Sequence, residues 1–346
     1  TDNDDLYKIY WEDTKMEFSA TAGTAGGSLK ALFEVRDGDN LENFKGKVTK
    51  ADSYSLTVEN ISIDNIKSLN LPDKDGKITV NNISYSYDSW EAQVDAQGNI
   101  KSVTFNLSKD KAIADPEKTV AEGYLLNAGS AINARGIPYY MTQLNEFVRN
   151  FSEMFNQIES KGQNLNGDTP PTFFEAITNT AKVYDFSESE AYSKLPDGQT
   201  ATINSSSNTY YRMTAANFSV NKDVMNDVSL FATSTDYVKT DSCDIVDELK
   251  KLQSEKTVYR GDKAESFLET IISNVSVDTE KAETYNKLYS NLEQTIANQR
   301  TSVSGVDEDE EALNLVKFQY SYNMASKIIS VMNQMLDKLI NDTGVA

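Results

Sequence analysis

Any chemistry in this 346-residue chain would have to come from carboxylates, tyrosines and one thiol, because histidine is absent. Its absence removes the commonest general base, the commonest transition-metal ligand and every Ser-His or Cys-His nucleophile pair. Cys243, the sole cysteine, therefore has no base to activate it; it falls at an expected helix start and reads as a buried or incidental thiol. A single cysteine also precludes an internal disulfide and a thiolate metal cluster. Asp73-Lys74-Asp75-Gly76 and Asn164 to Asp168 have the outline of calcium loops. Neither supplies the six-ligand spacing or the bidentate Glu at the twelfth position, and turn chemistry accounts for both. The acidic run Asp307–Glu311 would attract a cation, but carboxylates also suit the positive end of a helix dipole. Carboxylate pairs for glycoside hydrolysis leave no local motif. The 18 tyrosines could line a sugar-binding face. No constellation argues for an enzyme, and none calls for a metal or a cofactor.

The charge balance narrows the partners. Lys and Arg total 33 against 53 Asp and Glu, a formal net charge of −20 with a sequence pI near 4.5. Such a field repels phosphate backbones and anionic lipid surfaces, so neither nucleic acid nor membrane is an expected partner. No segment reaches the ~18 consecutive apolar residues of a membrane span. The chain opens on Thr1 with no signal-peptide pattern and is read as a piece whose N-terminus is missing or processed. Lack of disulfides fits either a cytosolic protein or one exported unfolded through a narrow channel.

The elements that would carry function are helical and lie at the C-terminal end. Gly305 is the last strong helix breaker before Gly344, and no proline interrupts the run between them. Asp307 to Glu311 crowd the first turn, and Lys327 and Lys338 fall later, where the dipole favours cations. Leu315, Phe318, Tyr322, Ala325, Ile329, Met332, Leu336 and Leu339 recur in a 4-3 alternation, the spacing of a coiled-coil seam. The alternative is a helix packed within its own monomer; length, terminal position and the break at Gly305 favour an assembly seam.

Earlier in the chain, Leu6 to Trp11 and Met16 to Phe18 alternate as two short strands, and Ser28 would cap a short helix ending at Asp37. Between Leu41 and Ala134 the period changes to 2, in runs 53–58, 77–80, 83–87 and 103–107 separated by turn formers. These predict a small antiparallel sheet or sandwich of five or six strands, with polar, tyrosine-rich faces to solvent. Met141, Leu144, Phe147, Val148, Phe151, Met154, Phe155 and Ile158 give a helix with a wide apolar face, ended by Gly162. Three further helices are expected: around Ile245–Leu252, around Phe267–Val275, and from Ala282 to Val303. They would pack antiparallel on Tyr139–Lys161. The expected fold is α+β and multidomain: an antiparallel helical bundle or coiled-coil rod with small antiparallel β domains inserted. The expected parts are a mixed framework over 1–40 and 164–242, an inserted β domain over 41–134, a helical rod over 137–163 and 243–304, and an assembly helix over 305–346.

Three stretches carry a family resemblance. SGVDEDEEALNLVKFQYSYNMASKIISVMNQMLDKLI, from Ser304 to Ile340, resembles the C-terminal signature of bacterial flagellar axial proteins, and most of all the hook-associated protein 1 family. Ser304, Gly305, Val306, Asp309 to Glu311, Asn314, Leu315, Phe318, Gln319, Tyr322 and Met335 to Asp337 fit that pattern by position; Asp307 stands where the family has Asn. YYMTQLNEFVRNFSEMFNQIESKGQNLNGDTPPTFF is the second match, with Glu159 or Ser160 near the family's His, and Met213 to Ser234 the third. AGGSLKALFEVRD is also similar, although the family's long helix does not follow it at once. The resemblance covers about two-thirds of the chain and omits Leu41–Ala134 and much of Glu175–Tyr211. It implies a secreted, extracellular structural protein of the hook–filament junction, exported by the flagellar type III apparatus and assembled through helical coiled coils. It implies as partners copies of itself in a ring, hook protein, the adjacent hook-associated protein and an export chaperone on the C-terminal helix. Two other readings remain open: flagellin or another axial protein, and a surface adhesin or glycan-binding module carried by the inserted domain.

Overall fold

The structure is a computed structural model that describes residues 12–14, 23, 26–73, 76–108, 113, 116, 120, 122–129, 131–178, 180–238, 242–255 and 257–342. The strands expected at Leu6–Trp11 and Met16–Phe18 lie outside the described residues. The fold is mixed α+β, and the chain divides into two units, residues 1–272 and 273–346.

Helix α1 (Ser28–Asp37) begins one residue earlier than a Ser28 cap would allow: Gly27 is its N-cap and the serine is already helical. The chain then builds strands β1 (Lys45–Asp52), β2 (Ser55–Glu59), β3 (Gly76–Val80), β4 (Ile83–Val94), β5 (Ile100–Leu107) and β6 (Leu125–Ala128). Their antiparallel ladder runs β3-β6-β1-β2-β5-β4 and returns to β3, so the six strands close a barrel rather than an open sheet or sandwich. Closure follows from β4, whose 12 residues pair with β5 along one edge and whose first half takes β3 along the other. Register breaks at Tyr87/Ser89 and Gln93/Val94 bend that strand enough to close the ring. The free second half of β4 accepts β8 (Ala201–Asn204), a strand from far along the chain.

Strand alternation decides what fills the barrel. Leu56, Val58, Ile78, Val80, Trp90, Val103, Phe105 and Leu126 are buried on the inner face, and polar neighbours alternate with them. Tyr85 and Tyr87 also point inward, contrary to the expected tyrosine-rich outer face. Tyr87 packs on Phe105 at 5.1 Å and donates to the Pro72 carbonyl at 3.2 Å, so its hydroxyl is satisfied in the core. Its ring lies where a Cβ on Gly76 would be, which is why the turn before β3 ends in glycine.

The two ends of the barrel segment meet. Gly136 N–H donates to Gly38 O at 3.0 Å, Asn40 N–H to Ala134 O at 2.8 Å, and Asp39 bridges Arg135. A side chain at either Gly38 or Gly136 would collide with the last carbonyls of α1. Helix α2 (Ile137–Glu159) starts directly from this neck with Pro138 in its first turn.

α2 is the axis of the first unit. Its apolar residues are divided among small clusters. Phe147 stacks on Phe151, Tyr259 and Phe267, while Phe155 and Phe174 pack edge to face at 4.7 Å. Most of its fully buried residues are polar: Gln143, Asn145, Glu146, Arg149, Asn150, Ser152, Glu153, Asn156 and Glu159. The expectation of a single apolar face toward the core is therefore incomplete. A helix surrounded on all sides turns its polar face to loop backbones, which offer carbonyls and amides in place of water. β7 (Phe174–Ala176) pairs with β9 (Phe218–Val220), and short helices α3 (Ser187–Ser193) and α4 (Lys222–Asn226) lie in the connecting loops. Helix α5 (Asp244–Ser254) packs Ile245 and Leu252 against Ile158. A hairpin, β10 (Thr257–Tyr259) and β11 (Asp262–Lys263), then leads into helix α6 (Ala264–Ser304). The second and third helices expected after Ile245–Leu252 are thus one continuous helix of 41 residues.

Candidate functional site

The candidate surface consists of the residues the second unit leaves in water. α6 buries Ala264, Phe267 and Ile271 in its first turns, in the first unit. From Ser273 onward, Tyr285, Leu288, Tyr289, Leu292, Ile296 and Val303 are all exposed. At roughly 100° per residue these fall within one narrow stripe, the geometry of a seam for one partner. The stripe belongs to the second unit, and its large side chains are exposed there.

Gly305 stops α6, and Asp307 starts helix α7 (Glu308–Asp337), which ends in a π turn at Lys338–Asp342. The Asp307 carboxylate accepts from Asp309 N–H at 3.0 Å and Glu310 N–H at 3.4 Å, a side-chain cap, with Glu308 to Glu311 filling the first turn. The acidic run thus occupies the end of the helix dipole that favours it. All eight seam residues lie along one side of α7 and its terminal turn. Ala325 is exposed, and Leu315, Phe318, Tyr322, Ile329, Met332, Leu336 and Leu339 are between 50% and 74% exposed. No coiled coil forms among the described residues.

A second apolar row, not singled out by the 4-3 template, runs beside the first. Met324, Ile328, Val331 and Met335 each precede a seam residue and are themselves exposed. One residue is roughly 100° of rotation, so the two rows together cover nearly half of the helix. Gln319, Asn323, Ser326, Lys327, Ser330 and Gln334 occupy the remaining arc. Such a face is wider than the two-position stripe a single partner helix requires. The signal was present in the sequence as paired apolar residues, Ile328-Ile329, Val331-Met332 and Met335-Leu336, which a strict heptad reading uses only by half.

The other candidates do not form a centre. Cys243 is exposed and precedes α5 without capping it. Asn164 Oδ1 accepts from Asn166 and Asp168 N–H, both at 2.9 Å, so this side chain folds its own loop. Of Asp73 to Gly76, Lys74 and Asp75 lie outside the described residues. Among the described residues no cluster of three His, Cys, Asp or Glu could hold a metal, and no helix is long and apolar enough to cross a membrane.

Two comparisons bear on what this surface is. Residues 297–342 match the family model described as flagellar basal body rod FlgEFG protein C-terminal, an interval that takes in the end of α6, the Gly305 break and all of α7. The chain is also 21% identical over 341 residues to flagellar hook-associated protein 1 of Bacillus subtilis (strain 168). Both are flagellar. That alignment takes in 96% of this chain and 56% of the relative, so the chain spans about half of that protein's length. The two likenesses support a structural role associated with the flagellar hook or rod, and motility as the process served. The family-model match falls on the apolar helix and the break before it.

Proposed function

We propose that this chain is the greater part of a hook-associated protein 1, a structural protein of the hook–filament junction that assembles through its C-terminal helix. The observation that carries the reading is the coincidence of two facts: α7 exposes a wide apolar face, and it lies inside the interval similar to the flagellar rod family. An exposed ridge of large apolar side chains forgoes ~1.5–3 kcal/mol for each one that a partner would bury. The partners are neighbouring copies in a ring, hook protein and the next junction protein, with an export chaperone covering the ridge before secretion. In this reading the protein is secreted through the flagellar export apparatus, is extracellular once assembled, and has no catalytic role. Another flagellar axial protein is the second reading, favoured by the match of residues 297–342 to a basal body rod family.

Replacing Ile329 and Leu336 together with Asp in the full-length native protein tests the assembly role. We expect the variant to fold through residues 1–272, to be absent from purified hooks, and to leave cells without filaments. Normal incorporation into hooks would sink the proposal. Immunogold labelling of intact wild-type hook–basal bodies separates the two readings: label at the distal end of the hook supports the junction, label along the rod supports the second.

A further inference from the structure

A cleft of about 490 Å³ opens beside α2 in the first unit. Its lining includes Pro170, Pro171, Tyr184, Asp185, Phe186 and Glu175. The carboxylates there differ in what they hold. Glu153, on the same wall, is ion-paired with Lys67 at 2.6 Å. Asp185 accepts from the Ser187 N–H at 3.0 Å and hydroxyl at 2.8 Å. Glu175, in the middle of β7, is only 6% exposed and has no hydrogen bond or ion pair from its carboxyl among the described residues. Burial and then the charge of Asp223 push its pKa up, with Lys222 pulling the other way. The rings at the cleft are already organised: Phe186 stacks on Tyr210 at 4.3 Å, and Tyr184 carries Arg212 over one face at 3.9 Å.

A carboxylate on an otherwise buried residue, with no hydrogen bond and its oxygens open to a cleft that also presents proline and aromatic carbon, is a ready partner for a cation on an apolar stem. We propose that this cleft is a binding site for an organic cation, a guanidinium or ammonium on an apolar stem, whose charge pairs with Glu175 while its stem lies against Pro171, Tyr184 and Phe186. An arginine suits it best, because its fork can engage both carboxylate oxygens and its carbon chain tolerates an apolar wall. The same chemistry is carried by an arginine of a partner polypeptide and by a free polyamine.

Calorimetric titration of the full chain with acetyl-Gly-Arg-Gly-amide, with its citrulline counterpart and with spermidine tests the site. Saturable binding of the arginine peptide is expected at about pH 8, weaker by about tenfold or more for citrulline and for the Glu175→Gln chain. Binding should also weaken toward about pH 5, as the carboxyl takes up a proton. Preference for the peptide over spermidine points to a polypeptide source, and the reverse preference to a polyamine. Absence of saturable binding, or equal binding of arginine and citrulline peptides by the wild-type chain, overturns the proposal even if the variant fails to fold.

Discussion

Arg149 is the side chain through which α2 holds the barrel, and its replacement by methionine is the sharpest test of the fold. The guanidinium is 2% exposed. Its Nε donates to Met213 O at 2.9 Å, and one Nη donates to both Lys67 O at 2.9 Å and Leu69 O at 2.7 Å. Its plane lies 4.6 Å from the Tyr211 ring, and Tyr211 in turn exchanges hydrogen bonds with the backbone of Leu71. One cation therefore fixes the Ile66–Ser68 turn of the barrel and the loop ending at Met213 to the same helix. Charged hydrogen bonds contribute ~1.5–3 kcal/mol each, so the three together are worth about 4–9 kcal/mol. Against this stands the cost of burying the charge, which lowers its pKa to about 10, a difference equivalent to about 3 kcal/mol. Methionine removes both sides of that balance and strands three carbonyls, for a net loss of roughly 3 kcal/mol.

Trp90 reports the change directly, since it is fully buried with its ring 5.0 Å from Tyr211. Urea unfolding followed by its fluorescence, on a Trp11→Phe background, should show a lower midpoint with an unchanged slope. Arg149→Lys should be nearly as damaging, because a single ammonium cannot reach three carbonyls in the fork's geometry. A methionine variant within ~0.5 kcal/mol of wild type would mean that the buried cation fixes nothing and that shape alone docks the barrel.

Two further outcomes are expected. Glu159, 2% exposed at the end of α2, accepts from Ala232 N–H at 2.6 Å, and burial raises its pKa to about 7. The folded value lies above the ordinary carboxylate value, so its contribution is fully present in acid and is lost as pH rises toward about 7. Glu159→Gln keeps the acceptor and cannot ionise; the decline that wild type shows between about pH 4.5 and 7 should be missing from its urea midpoint, and parallel curves would refute the assignment. Replacing residues 41–134 by a short Asn-Gly turn should lower the unfolding midpoint at least as much as Arg149→Met, because it removes the Lys67 and Leu69 carbonyls and leaves β8 unpaired. An excised chain as stable as the intact one would show that the barrel is a passive passenger.

Some of this architecture was legible from local pattern and some was not. Lys77–Val80, Ile83–Tyr87 and Val103–Leu107 announced themselves because their alternation is strong and turn formers bound them. β1 did not: KGKVTKAD carries one large apolar residue, Val48, and is a strand because β2 and β6 flank it. Barrel closure was out of reach, since the pairing of β3 with β6 depends on a long connection rather than on either strand's own residues. The burial of Asn156 was equally hidden. It bonds both the N–H and the C=O of Phe174, as a neighbouring strand would, and nothing in its local sequence marks it as interior. α7, by contrast, was readable in full as a helix, because its breaker, its cap and its first-turn acids all sit in adjacent residues.

The two long helices of known surroundings invert each other, and that inversion bears on how the chain behaves. α2 buries Arg149, Asn156 and Glu153 beside its phenylalanines, each polar group matched to a carbonyl, an amide or an ion partner. α7 does the opposite: its largest apolar residues meet water and its cap and charges are its main internal support. A helix of 30 residues can persist alone when well capped, but most helical stability in proteins comes from packing an apolar face. Its two adjacent rows demand more than one neighbour, because a single helix laid on the seam would leave Ile328, Val331 and Met335 at the edge of the contact. In the proposed assembly, folding of α7 and docking of its neighbours would be one process on this surface. The first unit, where Arg149 and Asn156 find their partners inside the chain, has a packed core of its own.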